Sequence, residues 1–238
     1  MKLQEIGVFH SCFKEKFGTP RQSGLSPSAY GTIAIRCPFS REEMFKGLHT
    51  FSHIWVIFGF HSLKSNSFKT TVRPPRLGGN KKVGVFATRS PYRPNPLGLS
   101  LLKLEAIKIE KGEALLQVSG QDILDQTPIF DIKPYLPKVD MRLQANSGWT
   151  ENICGPEKTE VTFSEAAMQE LQNFNISKRE EKKLIDLIQE ILHLDPRPGH
   201  QQKKNGTRKY SFKLLNYDVH WEKTDLGFRV QQIELLQI

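Results

Sequence analysis

Cysteine is scarce: Cys12, Cys37 and Cys154 stand far apart in 238 residues and never form a C-x-x-C pair. That excludes a disulfide framework and a thiolate zinc site, leaving buried or incidental thiols. Long apolar runs are missing too, since the stretch Trp55 to Phe60 is far too short to cross a bilayer and no membrane partner is expected. Met1 to Glu5 carry no basic segment ahead of an apolar one, so a cytoplasmic location is expected. Neither G-x-G-x-x-G nor G-x-x-x-x-G-K-[ST] occurs, which disfavours a Rossmann or P-loop enzyme, and no G-x-S-x-G elbow supplies a nucleophile. His49 and His53 lie four apart but without the adjacent Glu of a zincin helix, and no metal is expected.

Acids are absent where bases are dense. Between Glu43 and Glu105 there is no Asp or Glu, yet Lys46, Lys64, Lys69, Arg73, Arg76, Lys81, Lys82, Arg89, Arg93 and Lys103 all fall there. Residues 1–145 hold 21 Lys and Arg against 11 Asp and Glu, whereas residues 146–238 hold 13 against 14. Solubility is served by mixed signs, so a field of one sign points to a polyanion, with nucleic acid the leading partner. A lipid surface would want a basic amphipathic helix, which the segment Arg73 to Asn80, rich in Pro and Gly, is not.

What is present reads as many short strands punctuated by Gly and Pro, a pattern of β-barrels or sandwiches. Strands are expected at 3–9, 30–36, 54–60, 83–88, 99–109 and 114–118, the last two joined as a hairpin around Lys111-Gly112-Glu113. Ser40 is expected to cap a short helix over 41–45. Past about residue 140 the polar stretch 144–149 suggests a linker, dividing the chain into 1–143 and 144–238. The second part reads as a small α+β unit: a helix over 164–174, a capping box Ser177-x-x-Glu180 opening another to about Leu194, then strands over 210–221 and 228–238.

Two stretches concentrate chemistry. In residues 89–100, RSPYRPNPLGLS, three prolines present Arg89, Tyr92, Arg93 and Asn95 at low entropic cost. In residues 122–135, DILDQTPIFDIKPY, Asp122, Asp125, Asp131, Lys133 and Tyr135 alternate with apolar positions. Carboxylates at that density bind ribose hydroxyls or an ammonium group, or accept a proton. A plainer reading makes the prolines stiffeners and Asp131 with Lys133 a surface ion pair worth ~0.2–1 kcal/mol.

These strings, with KEKF at 14–17, PRQ at 20–22, FSH at 51–53, TVRPPRLGGN at 71–80, VGVFATRS at 83–90 and TPIFDIKPYLP at 127–137, resemble the TsaA-like family, also called TrmO, of tRNA methyltransferases. DPRP at 195–198 extends the resemblance into the second part. The resemblance implies a mainly β protein, a single-sheeted β-barrel followed by a smaller α+β domain. It implies methylation, with S-adenosylmethionine as donor, of N6 of a threonylcarbamoylated adenosine 3′ of the tRNA anticodon. A homodimer with active sites near its interface is also implied. Carried over by position, donor contacts fall at Pro20, Arg21, Gln22, His61, Ser62, Arg89, Leu99, Ser119, Gly120, Gln121 and Asp122. Asp125 or Asp131 would take the acceptor's proton, with Tyr135 as relay. Arg93 and Lys133 would hold the threonyl carboxylate, and Arg73, Arg76, Lys81 and Lys82 the phosphates of the anticodon loop. Where relatives commonly read DGTP, this chain has Asp125-Gln126-Thr127-Pro128, which puts a positive φ at that turn in doubt. Two rivals remain: an RNA-binding module without catalysis, and a methyltransferase with a small-molecule acceptor.

Overall fold

Alternation of inward and outward positions, clearest along β3 (His53–Gly59) and β7 (Glu113–Ser119), builds the first sheet. The computed structural model describes residues 2–63, 67–78, 80–151, 159–198 and 208–236, with Arg76 described by its backbone alone. Its first strands are β1 (Gly7–Ser11), β2 (Tyr30–Ile35), β3 (His53–Gly59), β4 (Thr71–Val72), β5 (Val83–Gly84), β6 (Leu97–Glu110), β7 (Glu113–Ser119) and β8 (Thr127–Pro134). Six of these close an antiparallel barrel in the order β1-β2-β7-β6-β3-β8, which leaves no strand edge unpaired. Along β3, Ile54, Val56 and Phe58 point into the barrel with Phe9, Ile33, Ile35, Leu102, Leu116 and Ile129, while Trp55 and Ile57 point out.

The helix α1 (Pro137–Asp140) and a 3₁₀ turn at Gly148–Thr150 lead to the second sheet. It consists of β9 (Glu160–Phe163), β10 (Lys209–Leu214), β11 (Tyr217–Lys223) and β12 (Gly227–Leu235), ordered β10-β11-β12-β9 with β9 parallel to β12. The helices α2 (Glu165–Asn173) and α3 (Lys178–His193) cover one face through Ala167, Leu171, Leu184, Leu187, Ile188, Ile191 and Leu192. Each starts on a serine cap, and at Ser177 the full capping box forms: its hydroxyl accepts from the Glu180 N–H and the Glu180 carboxylate accepts from the Ser177 N–H. Cys12, Phe13 and Ala29, from the barrel side of the chain, belong to this second core.

Several expected elements differ. The first strand begins at Gly7 and runs to Ser11, because its partners Gly31 to Ile35 lie there. Ser40 does not cap a helix: its hydroxyl donates to the Gly112 carbonyl, and the turn over Glu42–Phe45 is 3₁₀ with Arg41 at its start. The expected strand at 83–88 is two residues long and then turns over Val85–Ala87. The expected strand at 210–221 is a hairpin broken at Leu215, whose φ is +54°. Strand β9 went unforeseen, a four-residue strand too short for its periodicity to show.

Candidate active site

Register decides where the site sits. Ser11 pairs Gly31, Tyr30 pairs Ser119, Phe9 pairs Thr127 and Gly59 pairs Leu97, so one end of the barrel carries the connections 12–29, 60–96 and 120–126. The other end carries the tight turn at Lys111-Gly112 and the connection 36–52. Pro20 to Gln22, His61, Ser62, Arg73, Lys81, Lys82, Arg89, Arg93, Gly120 to Asp122 and Asp125 all lie on the three connections at the first end, as does the backbone of Arg76. Long connections over a rigid closed sheet are where ligand-binding groups concentrate.

The three connections are tied together by hydrogen bonds from side chains and backbone. Arg89 donates to the Gln22 side chain, Lys16 donates to the Ser62 carbonyl, and Gly24 N–H donates to the Gly120 carbonyl at 2.8 Å. Asp122 accepts from the Ser100 hydroxyl at 2.5 Å. Burial pushes its carboxyl above the usual carboxylate range, against the pull of that hydroxyl, of the Ser23 backbone and of the Arg89 charge. The mouth thus holds a recessed carboxylate beside an exposed guanidinium.

Asp125 differs. Lys14 Nζ lies 2.8 Å from its Oδ2 and the Ser11 N–H donates to its Oδ1, also at 2.8 Å. Burial favours its neutral form, yet Lys14 and Ser11 outweigh this and hold the carboxyl below its ordinary range. An anion so stabilised is a poor proton acceptor and a good anchor. His61 is lowered, first by burial and then by the Lys16 charge, against Asp125. The Thr127 hydroxyl donates to the Leu124 carbonyl at 2.6 Å, so its oxygen is left to accept from His61 Nδ1 at 3.3 Å. That assignment places the neutral imidazole's lone pair on Nε2. His61 also lines a cavity of about 130 Å³ with Phe60, Leu63, Ser67, Tyr92 and Arg93.

Not every expected residue faces this mouth. Gln121 is fully buried, its amide donating to Ser11 Oγ, Cys12 Sγ and the Tyr30 carbonyl while its oxygen accepts from the Ile123 N–H. Arg93 Nη1 donates to the carbonyls of Thr88 and Ser90, at 3.1 and 3.2 Å, and so shapes its own loop. Ser119 donates to Glu105. Leu99, cross-strand from Ile57, points outward with 55% of its surface exposed. Asp131 lies on the other flank of Ile57, and with Lys133 (Nζ to Oδ2, 3.1 Å) and Tyr135, edge-on to Trp55, forms one outer face of β6, β3 and β8. The expected set therefore divides between the barrel mouth and this outer face. Gln126 keeps the left-handed bend, with φ +61°, so the turn survives the loss of glycine. Lys14, Lys16, Ser100 and Thr127 escaped the sequence reading as site residues, although all four lie inside or beside the strings KEKF, RPNPLGLS and TPIFDIKPYLP.

Comparison with known proteins places this geometry. Residues 8–141 match the tRNA-methyltransferase O N-terminal domain, and residues 156–236 match the TrmO C-terminal domain. A tRNA (adenine(37)-N6)-methyltransferase of Escherichia coli K12 is 39% identical over 98% of this chain and 97% of its own. A Pseudomonas aeruginosa protein bearing the name "Putative S-adenosylmethionine-dependent methyltransferase RcsF" is 41% identical over 92% of this chain and 91% of its own. A crystal structure of TrmO from P. aeruginosa superposes with a TM-score of 0.78 at 34% identity, covering 99% of this chain and 97% of that one.

Proposed function

Since the chain belongs to the TrmO family of tRNA methyltransferases, we propose that it transfers a methyl group from S-adenosylmethionine to N6 of a threonylcarbamoylated adenosine beside the anticodon of tRNA. The barrel mouth carries this reading, because it pairs a recessed carboxylate, Asp122, with the guanidinium of Arg89. That donor set fits the methyl donor: Arg89 suits its carboxylate, and Asp122 its ribose hydroxyls or ammonium group. S-adenosylmethionine supplies an electrophilic methyl group on a cationic sulfur. The residues around it have to align the acceptor and keep water out, as an in-line displacement needs little covalent help. Pro20 to Gln22, His61 and Ser62 lie on the connections at that same end of the barrel.

The acceptor nitrogen is acylated and its N–H acidified, so a carboxylate can take the proton. Asp125 is committed to Lys14 and Ser11, and the role falls to Asp131, whose ion-pair partner Lys133 is 63% exposed at its side chain and suits the threonyl carboxylate. Asp131, Lys133, Tyr135 and Leu99 share the outer face, which also shows Trp55, Ile57 and Leu101; the Trp55 indole donates to Asp140 of α1, and Val139, Met141 and Leu143 in and after that helix are exposed. Half-exposed apolar side chains beside an exposed leucine and an ion pair offer an interaction surface. A second copy of this chain covers it, bringing one protomer's outer face to the other's mouth. Exposed Arg73, Lys81 and Lys82 track the tRNA phosphates, in a cytoplasmic setting where that tRNA is made and used.

Nucleoside mass spectrometry tests the reading. Threonylcarbamoylated tRNA incubated with the protein and S-adenosylmethionine should gain one methyl group, while matched tRNA lacking the threonylcarbamoyl group should gain none. Methylation of both, or of neither despite donor binding, would sink the substrate assignment and point to another acceptor.

A further inference from the structure

The connection 12–29 is gripped from two sides. Toward the barrel it gives Lys14 to Asp125, Lys16 to the Ser62 carbonyl, and Gln22 to Arg89. Toward the C-terminal domain it is seated more firmly still. Phe13 bridges Leu214, Leu215 N–H donates to the Cys12 carbonyl at 2.7 Å, and Glu15 accepts from the Lys213 N–H at 3.0 Å. Phe17 stacks beside Tyr210 and Trp221, and the Gly18 backbone lies so close to Phe212 that a Cβ there would meet the ring at 3.0 Å.

On the far half of the connection one side chain of the C-terminal domain takes three bonds. Glu190, near the end of α3, accepts from the Ser26 hydroxyl at 2.6 Å, from the Ser28 N–H at 2.9 Å and from the Ser28 hydroxyl at 2.7 Å. Ser26 is 1% exposed. Bonds from neutral donors to a carboxylate in so sheltered a place are stronger than ordinary ones, and this carboxylate has no role in the helix itself. Ser23, Gly24 and Gln22 lie between the two anchored ends, and they are the residues that meet Asp122, Gly120 and Arg89.

We propose that Glu190 is a positioning residue for the methyl donor: the C-terminal domain sets the shape of loop 19–28 through the Glu190 clasp on Ser26 and Ser28, and thereby preorganises the donor site. The proposal rests on the placement of the donor at the barrel mouth. It gives the C-terminal domain a task in the reaction that needs no contact with either substrate. Removing the clasp leaves the loop to be ordered by the donor itself, which costs affinity for the donor and nothing in the chemical step.

The test uses the full chain, S-adenosylmethionine titrated by calorimetry, and steady-state kinetics with modified tRNA. Glu190→Ala should weaken donor affinity and raise the donor KM by about ten-fold, leaving kcat at saturating donor and the KM for tRNA within about two-fold. Glu190→Gln, whose amide oxygen still accepts from Ser28, should recover part of the loss. Ser28→Ala removes one loop-side bond, that of the Ser28 hydroxyl to Glu190, without touching the helix and should show a smaller loss of the same kind, so the comparison survives even where Glu190→Ala fails to fold. Arg89→Ala separates the two levels. Loss of donor binding in Arg89→Ala with unchanged affinity in the Glu190 and Ser28 variants overturns the clasp and leaves the donor site standing. Unchanged binding in Arg89→Ala removes the donor from the mouth, and the clasp proposal falls with it. A Glu190 effect on kcat alone, with donor KM unmoved, also overturns it.

Discussion

A glutamine occupies a left-handed bend between the anchored carboxylate of Asp125 and the first residue of β8. Gln126 has φ +61°, and its N–H donates to the Phe9 carbonyl at 2.8 Å, which fixes the bend in place. The conformation costs a residue with a Cβ roughly 1–2 kcal/mol, while glycine there would lose only ~0.5–1 kcal/mol in additional chain entropy. The Gln126 amide's contact to His10 Nδ1, 3.2 Å and exposed, returns little. Gln126→Gly is therefore expected to raise stability by about 0.5–1 kcal/mol, read as a melting temperature higher by a few degrees. A lower melting temperature would mean that the amide contact outweighs the backbone strain. The turn matters to the site because Thr127, which orients His61, follows it directly.

At the scale of elements, the string RPNPLGLS shows how a motif can be structural and functional at once. Gly98 on β6 faces Phe58 on β3, and a Cβ there would meet the Phe58 ring at 2.2 Å. Phe58 is 5% exposed and packs edge-on against Phe60, which lines the cavity beside His61. Gly98→Ala should thus displace a buried ring at a cost of ~1–3 kcal/mol, visible as a lowered denaturation midpoint with the slope unchanged. An unaltered midpoint would show that the ring has room to move. Two positions on, Ser100 faces inward to Asp122 while Leu99 between them faces outward. The strand over 99–109 was legible in the sequence, and with it the hairpin at Lys111-Gly112, the helix from Ser164 and the capping box at Ser177, because local chemistry alone specifies them. Which β8 residue lies across Ile57 from Leu99 was not legible, since a bulge between Ile57 and Phe58 in the β3–β8 ladder makes it Asp131. Nor could spacing reveal that Gln121 is consumed by internal bonds, or that Asp125 is claimed by Lys14, 111 residues away.

For the molecule as a whole, the decisive feature is that the expected site residues fall into two groups on different surfaces. Arg89, Gln22, Asp122 and His61 gather at the barrel mouth, while Leu99, Asp131, Lys133 and Tyr135 line the outer face of β6, β3 and β8. A two-fold dimer in which one protomer's outer face meets the other's mouth would reunite them, and it would also cover the apolar surface around Trp55, Ile57 and Leu101. Such an arrangement has a consequence that a self-contained monomeric site lacks. Arg89→Ala and Asp131→Asn should each abolish turnover alone, because each homodimer then carries the same defect in both sites. Mixed in equal amounts and allowed to exchange, half of the dimers pair one variant with the other, and in each of those one site has lost both groups and the other neither. Activity should return to about a quarter of the wild-type value, and chemical cross-linking of the protomers before mixing should prevent the recovery. If the mixture stays as inactive as its components while subunit exchange is demonstrable, Asp131 and Arg89 serve the same protomer and the outer face is no part of the site.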